Sequence, residues 1–276
     1  MIIFHKHRFV SLISFFVILN IIEYFVGDWV GEFITKFPLH SSKIEVILND
    51  TFFKVIELIL AFILSHILPV PKYFKIIFGR KTVIWLTLMV LITILLAVFN
   101  SSNFWEALFI GVVASIPEEY IFRGISLGYL LTIFNKNKKG VVLSLVISAG
   151  LFSLYHMGNI LSQNLEATIL QMVAVFGMGF LFGCLYVRTG SLLIAMFLHF
   201  FNNYFVTILN GMDTDYKIIH FSAATVYPPV IQCIILIIIG ILVLNIKNPN
   251  KWILPKLLNR DVVSIRTEGS FKKTIY

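Results

Sequence analysis

The run Pro117-Glu118-Glu119-Tyr120-Ile121-Phe122-Arg123-Gly124 sets two carboxylates and a guanidinium in the middle of Trp105 to Phe134, a stretch otherwise apolar. A charge near the centre of a bilayer costs about 2.5 to 3.5 kcal/mol on insertion scales, so three together need partners and point to function. Glu119 and Arg123 are four residues apart, which puts them on one helical face in the order that favours an ion pair. Glu118 points about 100° away and is left for other work. Two more polar groups interrupt separate apolar stretches: Phe152-Ser153-Leu154-Tyr155-His156, and His199-Phe200-Phe201-Asn202-Asn203, where His199 and Asn203 share a face. A carboxylate, two imidazoles and an amide are the parts that amide hydrolysis requires: a base to activate water and donors to hold the oxyanion. Glu118, His156 and His199 would also serve as zinc ligands with an open position for water. Against zinc, the chain has no His-Glu-x-x-His helix and asparagine is an uncommon ligand; no obligatory structural metal is expected.

The elements that must position these groups follow from composition. Apolar residues make up 58% and charged residues 13%, against about 45–50% and about 25% in soluble domains, which places the chain in a membrane. Runs long enough to span a core of about 30 Å number eight: Phe9–Val26, Phe52–Leu68, Val83–Phe99, Trp105–Phe134, Val141–Met157, Ala167–Val187, Leu192–Leu209 and Val230–Ile246. The fourth is too long for the bilayer unless tilted, kinked or protruding, and Pro117 offers a break. With the N-terminus inside, the connections on the cytoplasmic side hold 17 lysines and arginines and the opposite ones hold 3. That bias predicts both termini cytoplasmic. The net charge of +8 resides in these connections and in the tail, so it reads as a topology signal and not as a nucleic-acid surface. Cys184 and Cys233 both fall in apolar runs, where no disulfide framework is expected. The fold expected is all-α, a polytopic membrane protein of about eight transmembrane helices. It divides into N-terminal helices (1–103), a catalytic core from spans four to seven (104–209), and a last helix with a basic tail (210–276), all one integral membrane domain.

The order Glu-Glu-x-x-x-Arg, Phe-x-x-x-His, His-x-x-x-Asn, carried by Glu118, Glu119, Arg123, Phe152, His156, His199 and Asn203, resembles the CPBP intramembrane protease family, the CAAX prenyl endopeptidase and bacteriocin-processing (Abi-type) group. Arg188-Thr189-Gly190-Ser191-Leu192 before His199 looks like the lead-in to that family's third motif, and the resemblance covers roughly residues 104 to 205. It implies that Glu118 with His156 activates water, that His199 and Asn203 stabilise the oxyanion, and that Glu119 with Arg123 and Phe152 supports the site. It further implies a membrane-associated peptide or protein as substrate. A leader peptide, bacteriocin precursor or signalling peptide, handled in a bacterial plasma membrane, is the expected context.

The remaining polar residues take structural readings. Lys54 and Glu57, three apart, are read as a snorkelling pair near the outer end of the second span. Glu23, Glu106, His40, His66 and His220 are read as residues of span ends or loops. The segment from about Asn248 onward is read as a basic surface segment or tail. Two other function classes fit the same composition: a bacteriocin self-immunity or scaffold membrane protein, which would keep the fold without the chemistry, and a proton-coupled transporter, for which inverted repeats would be expected and are not visible.

Overall fold

The computed structural model describes residues 8–37, 42–76, 79–134, 137–212 and 216–260. The terminal residues that carry the orientation reading, much of the basic tail, and His40 lie outside them. The chain is an all-α polytopic membrane protein; the described residues form no strand, only one isolated bridge between Gln163 and Lys217. Its helices are α1 (Arg8–Ile34), α2 (Ser42–Leu64), α3 (Arg80–Phe99), α4 (Phe104–Glu119), a π-helical segment (Tyr120–Leu127) running into α5 (Gly128–Ile133), α6 (Lys138–Tyr155), α7 (Leu165–Thr189), α8 (Leu192–Asn210) and α9 (Ala223–Leu244).

These elements overlie the eight apolar runs, and six are long and apolar enough to cross a membrane: α1, α3, α6 with its 3-10 extension to Leu161, α7, α8 and α9. The other two runs depart for physical reasons. α2 carries Lys43, Glu45, Asp50, Lys54 and Glu57. The fourth run is one continuous path broken in its hydrogen-bond ladder. Pro117 sits inside α4, where it removes a donor and crowds the preceding turn. Three residues later the ladder widens, and the Gly128 N–H reaches the Arg123 carbonyl five residues back. Such π segments occur preferentially at functional sites.

The connections fall into two groups. On one face the Arg8 side chain donates to the Thr132 carbonyl, the Leu192 N–H to Tyr73 and the Ile253 N–H to Val187. On the other, Lys43 pairs with Glu106 at 2.8 Å, Met212 N–H donates to Glu106, and Asn164 and Glu166 bond Ile219 and His220.

Two packed cores hold the site between them. Leu12, Phe15 and Leu19 of α1 pack with Ala61, Ile121, Phe122, Ile125 and Phe152. Leu127, Leu145, Phe180, Cys184, Met196 and Leu244 form the second core. Helices α7 and α9 approach so closely that a Cβ on Gly177 would lie 2.7 Å from Cys233 Cα. By contrast, no described side chain of α3 is buried, and α9 buries only Gly240 and Leu244. These apolar outer faces are what a lipid solvent permits.

The segment after Asn248 is only partly the surface tail that its composition suggests. Trp252, Leu254 and Leu258 are buried, and Trp252 donates its indole N–H to the Leu244 carbonyl. Gly190, which caps α7 with φ +65°, leaves room there for Ile253 and Leu257. This docked segment braces the α7–α8 turn, and hence the start of the helix that carries His199.

Candidate active site

Glu118 and Glu119 end α4, and Arg123 lies in the π segment that follows. The wider π turn still keeps Arg123 Nη1 3.0 Å from Glu119 Oε1, with both side chains almost wholly removed from the surface, at 1% and 0% exposed. Ser148 of α6 donates to the Phe122 carbonyl at 2.8 Å and so satisfies one acceptor of the irregular segment. The guanidinium lies 4.2 Å from the Phe152 ring centre and 5.5 Å from that of Phe182, where ring faces offset part of its lost hydration.

His199 of α8 faces this pair. Its Nδ1 is 2.9 Å from Glu119 Oε1, and its Nε2 is 3.8 Å from Glu118 Oε2. A carboxylate paired with Arg123 can only accept, so His199 Nδ1 carries the proton and Nε2 is turned to Glu118. Phe182 stacks on the imidazole, with centroids 5.3 Å apart, and Phe152 meets it edge-on at 5.9 Å. Glu118, Glu119, Arg123, Phe152 and His199 are therefore brought together.

His156 is the first residue of the 3-10 turn His156–Leu161 that continues α6. That turn carries the span on to Leu161, so His156 lies short of its end. Its Nδ1 bonds the Phe152 carbonyl at 2.9 Å, its ring packs edge-on against Phe152, and it lies within the electrostatic reach of Glu118. No direct hydrogen bond joins it to Glu118 among the described residues. Asn203 lies one turn beyond His199 on α8 and accepts from Asn202 Nδ2 at 3.3 Å. It too makes no hydrogen bond to Glu118 or to either histidine among the described residues.

Of the zinc-ligand candidates, Glu118 has Oε1 on the Lys54 ammonium and His199 has Nε2 turned to Glu118 Oε2; no three His, Cys, Asp or Glu side chains among the described residues are grouped to hold a metal ion.

Two residues read from the sequence as a snorkelling pair belong instead to the site. Lys54 Nζ is 3.0 Å from Glu118 Oε1 and 2.8 Å from Glu57 Oε2, and Tyr155 donates its hydroxyl to Glu57 Oε1 at 3.0 Å. The reading failed on a boundary: α2 begins at Ser42, ten residues before the apolar run, so Lys54 is in mid-helix and not at its end. Glu23 was misplaced for the same reason. α1 continues to Ile34, and Glu23 is buried within the electrostatic reach of Glu57, Lys54 and Glu118. A lysine and an acid three apart within one polar-tipped run were the only available signal for the first pair.

Beside the cluster lies an apolar groove of about 980 Å³, whose lining includes Leu58, Phe62, Ser115, Tyr120, Met196 and Phe200. Ser115 and Tyr120 flank the glutamate pair in sequence, and Met196 and Phe200 flank His199.

Residues 100–205 match the family model described as type II CAAX prenyl endopeptidase Rce1-like. No curated protein and no solved structure matches the chain. The matched segment is less than half of the chain; it contains all seven motif residues, whereas Glu23, Lys54 and Glu57 lie outside it.

Proposed function

With residues 100–205 assigned to the CPBP/CAAX protease family, we propose that this chain is an intramembrane endopeptidase in which Glu118 activates the water that cleaves a peptide bond of a membrane-associated peptide or protein. The observation that carries this reading is the gathering of Glu118, Glu119, Arg123 and His199 into one buried cluster inside the matched segment. Four ionisable groups gathered inside a membrane protein are costly even when paired, and so mark function by default.

In this reading Glu118 Oε2 takes a proton from a water seated beside its 3.8 Å approach to His199 Nε2, within reach of both atoms. The water oxygen attacks the carbonyl carbon, and the resulting oxyanion is met by His199 and by the Asn203 amide. With Nδ1 on Glu119, His199 meets the oxyanion through an Nε2–H, which requires a proton on both ring nitrogens. As the C–N bond breaks, the carboxylic acid of Glu118 returns its proton to the leaving amine. His156, with Nδ1 committed to the Phe152 carbonyl, directs Nε2 to the water as its second partner. Arg123 and Glu119 hold the His199 ring. The apolar groove supports approach of an apolar substrate segment from the bilayer side.

The test is cleavage of a fluorogenic peptide by the purified chain and by Glu118→Gln, joined to peptidomics of cells carrying each form. The wild-type chain is expected to cut, and Glu118→Gln to remain folded and lose turnover while an uncut substrate accumulates. A Glu118→Gln chain with wild-type turnover would remove the base from the mechanism and favour an immunity or scaffold role.

A further inference from the structure

The two N-terminal helices contribute no residue to the family motifs, yet α2 delivers a cation to the proposed base. The Lys54 ammonium is enclosed on three sides. Glu118 Oε1 lies at 3.0 Å and Glu57 Oε2 at 2.8 Å, and the Tyr155 ring face has its centre 5.2 Å away. Glu57 is itself held, since its other oxygen accepts from the Tyr155 hydroxyl at 3.0 Å. Lys54, Glu57 and Tyr155 thus close a ring of contacts in which the flexible lysine stem has little freedom left. The ring ends on Tyr155, the residue before His156, so the same contacts tie α2 to two motif positions from different helices.

The consequence for Glu118 is a distinction between its two oxygens. Oε1 is taken by Lys54, and Oε2 is turned toward His199 Nε2 across 3.8 Å. A carboxylate free to rotate would present either oxygen, or neither, to a water lying beside that approach. From this geometry we infer that Lys54 is a positioning residue for Glu118, fixed by Glu57 and Tyr155, and that α1 and α2 are part of the working enzyme and not only a membrane anchor. The inference rests on the protease reading given above. Lys54 does not meet the reacting atoms; it acts through Glu118.

Two measurements test it. The first needs no activity: thermal unfolding of the wild-type chain, Lys54→Met, Glu118→Gln and the double variant. Contact between the two side chains requires the losses to be non-additive, with the double variant melting above the temperature that summed single losses predict. Additive losses would overturn the contact.

The second is turnover. Lys54→Met is expected to lose about 100-fold in kcat with little change in KM, the scale of a misplacement of about 1 Å at a reacting group. Lys54→Arg, which can still reach both carboxylates, is expected to recover most of it. The variant Lys54→Met/Glu57→Gln removes one charge of each sign. It should regain only the part of the unfolding temperature lost through Glu57, since Glu118 still lacks its cation, and remain slow. If that double variant turned over at the wild-type rate, Lys54 would serve only to neutralise Glu57, and the positioning role would be overturned. A wild-type chain that cut no peptide at all would overturn the protease reading and the positioning role together, while a non-additive melting cycle would still establish the Lys54–Glu118 pair.

Discussion

Arg123→Met tests whether the Glu119 charge is tolerated only because of its partner. Arg123 is 1% exposed, 3.0 Å from Glu119 Oε1, and neither of its terminal nitrogens has an aligned hydrogen-bond partner among the described residues. The pair is therefore held by charge attraction and by the rings of Phe152 and Phe182. Breaking a buried pair from one side costs about 3 to 5 kcal/mol, and the lost ring contacts add about 0.5 to 2 kcal/mol. Two effects act against this. Methionine fills the apolar slot, and His199 Nδ1, 2.9 Å from the same oxygen, remains as a partner for Glu119. A net loss of about 3 kcal/mol follows. At about 2 °C per kcal/mol for a chain of this length, Arg123→Met should unfold about 6 °C below the wild-type protein in the same detergent, with turnover lost as well. Glu119→Gln/Arg123→Met removes both charges and should return to within about 1 kcal/mol, since apolar or neutral replacements of buried pairs are often neutral or stabilising. Wild-type melting of Arg123→Met, or a double variant as unstable as the single one, would refute the claim that charge balance holds this part of the site.

Asn203→Ala should lose about 100- to 1000-fold in turnover if its amide is one oxyanion donor. Its melting temperature should barely move, because the only hydrogen bond that the side chain makes among the described residues comes from Asn202; full activity in a fluorogenic assay would take it out of the mechanism. Gly177→Ala should act oppositely. Its Cβ would meet the Cys233 backbone at 2.7 to 3.3 Å, and backbone cannot swing aside, so about 1 to 3 kcal/mol of stability should be lost with turnover per folded molecule unchanged. An unaltered melting curve would mean that α9 shifts away at no cost.

The sequence by itself determined the membrane class, the positions of six spanning helices among the described residues and the Glu119–Arg123 pair. Each rests on a local quantity: the length of an apolar run, or a spacing of four on one helix face. Those signals survive without knowledge of the neighbours, because lipid imposes the same rule on every segment. The motif histidine His199 was legible on the same grounds, as a polar group inside an apolar run. What only the tertiary structure decided is which charges share a cavity. Lys54, Glu57 and Glu23 looked peripheral because hydropathy ends a span where polar residues begin, whereas α1 and α2 continue past that point as helices and carry these side chains to mid-helix. The π segment was also beyond reach: Pro117 announces a break, but whether the ladder kinks, stops or widens depends on what can satisfy the freed groups, here Ser148 from α6. The partner of Glu118 is 64 residues away in sequence, and no periodicity within either helix encodes a contact between them. It is set by the packing of α2 against α4, where a buried carboxylate and a half-buried ammonium lower each other's cost only when the two helices meet in one register.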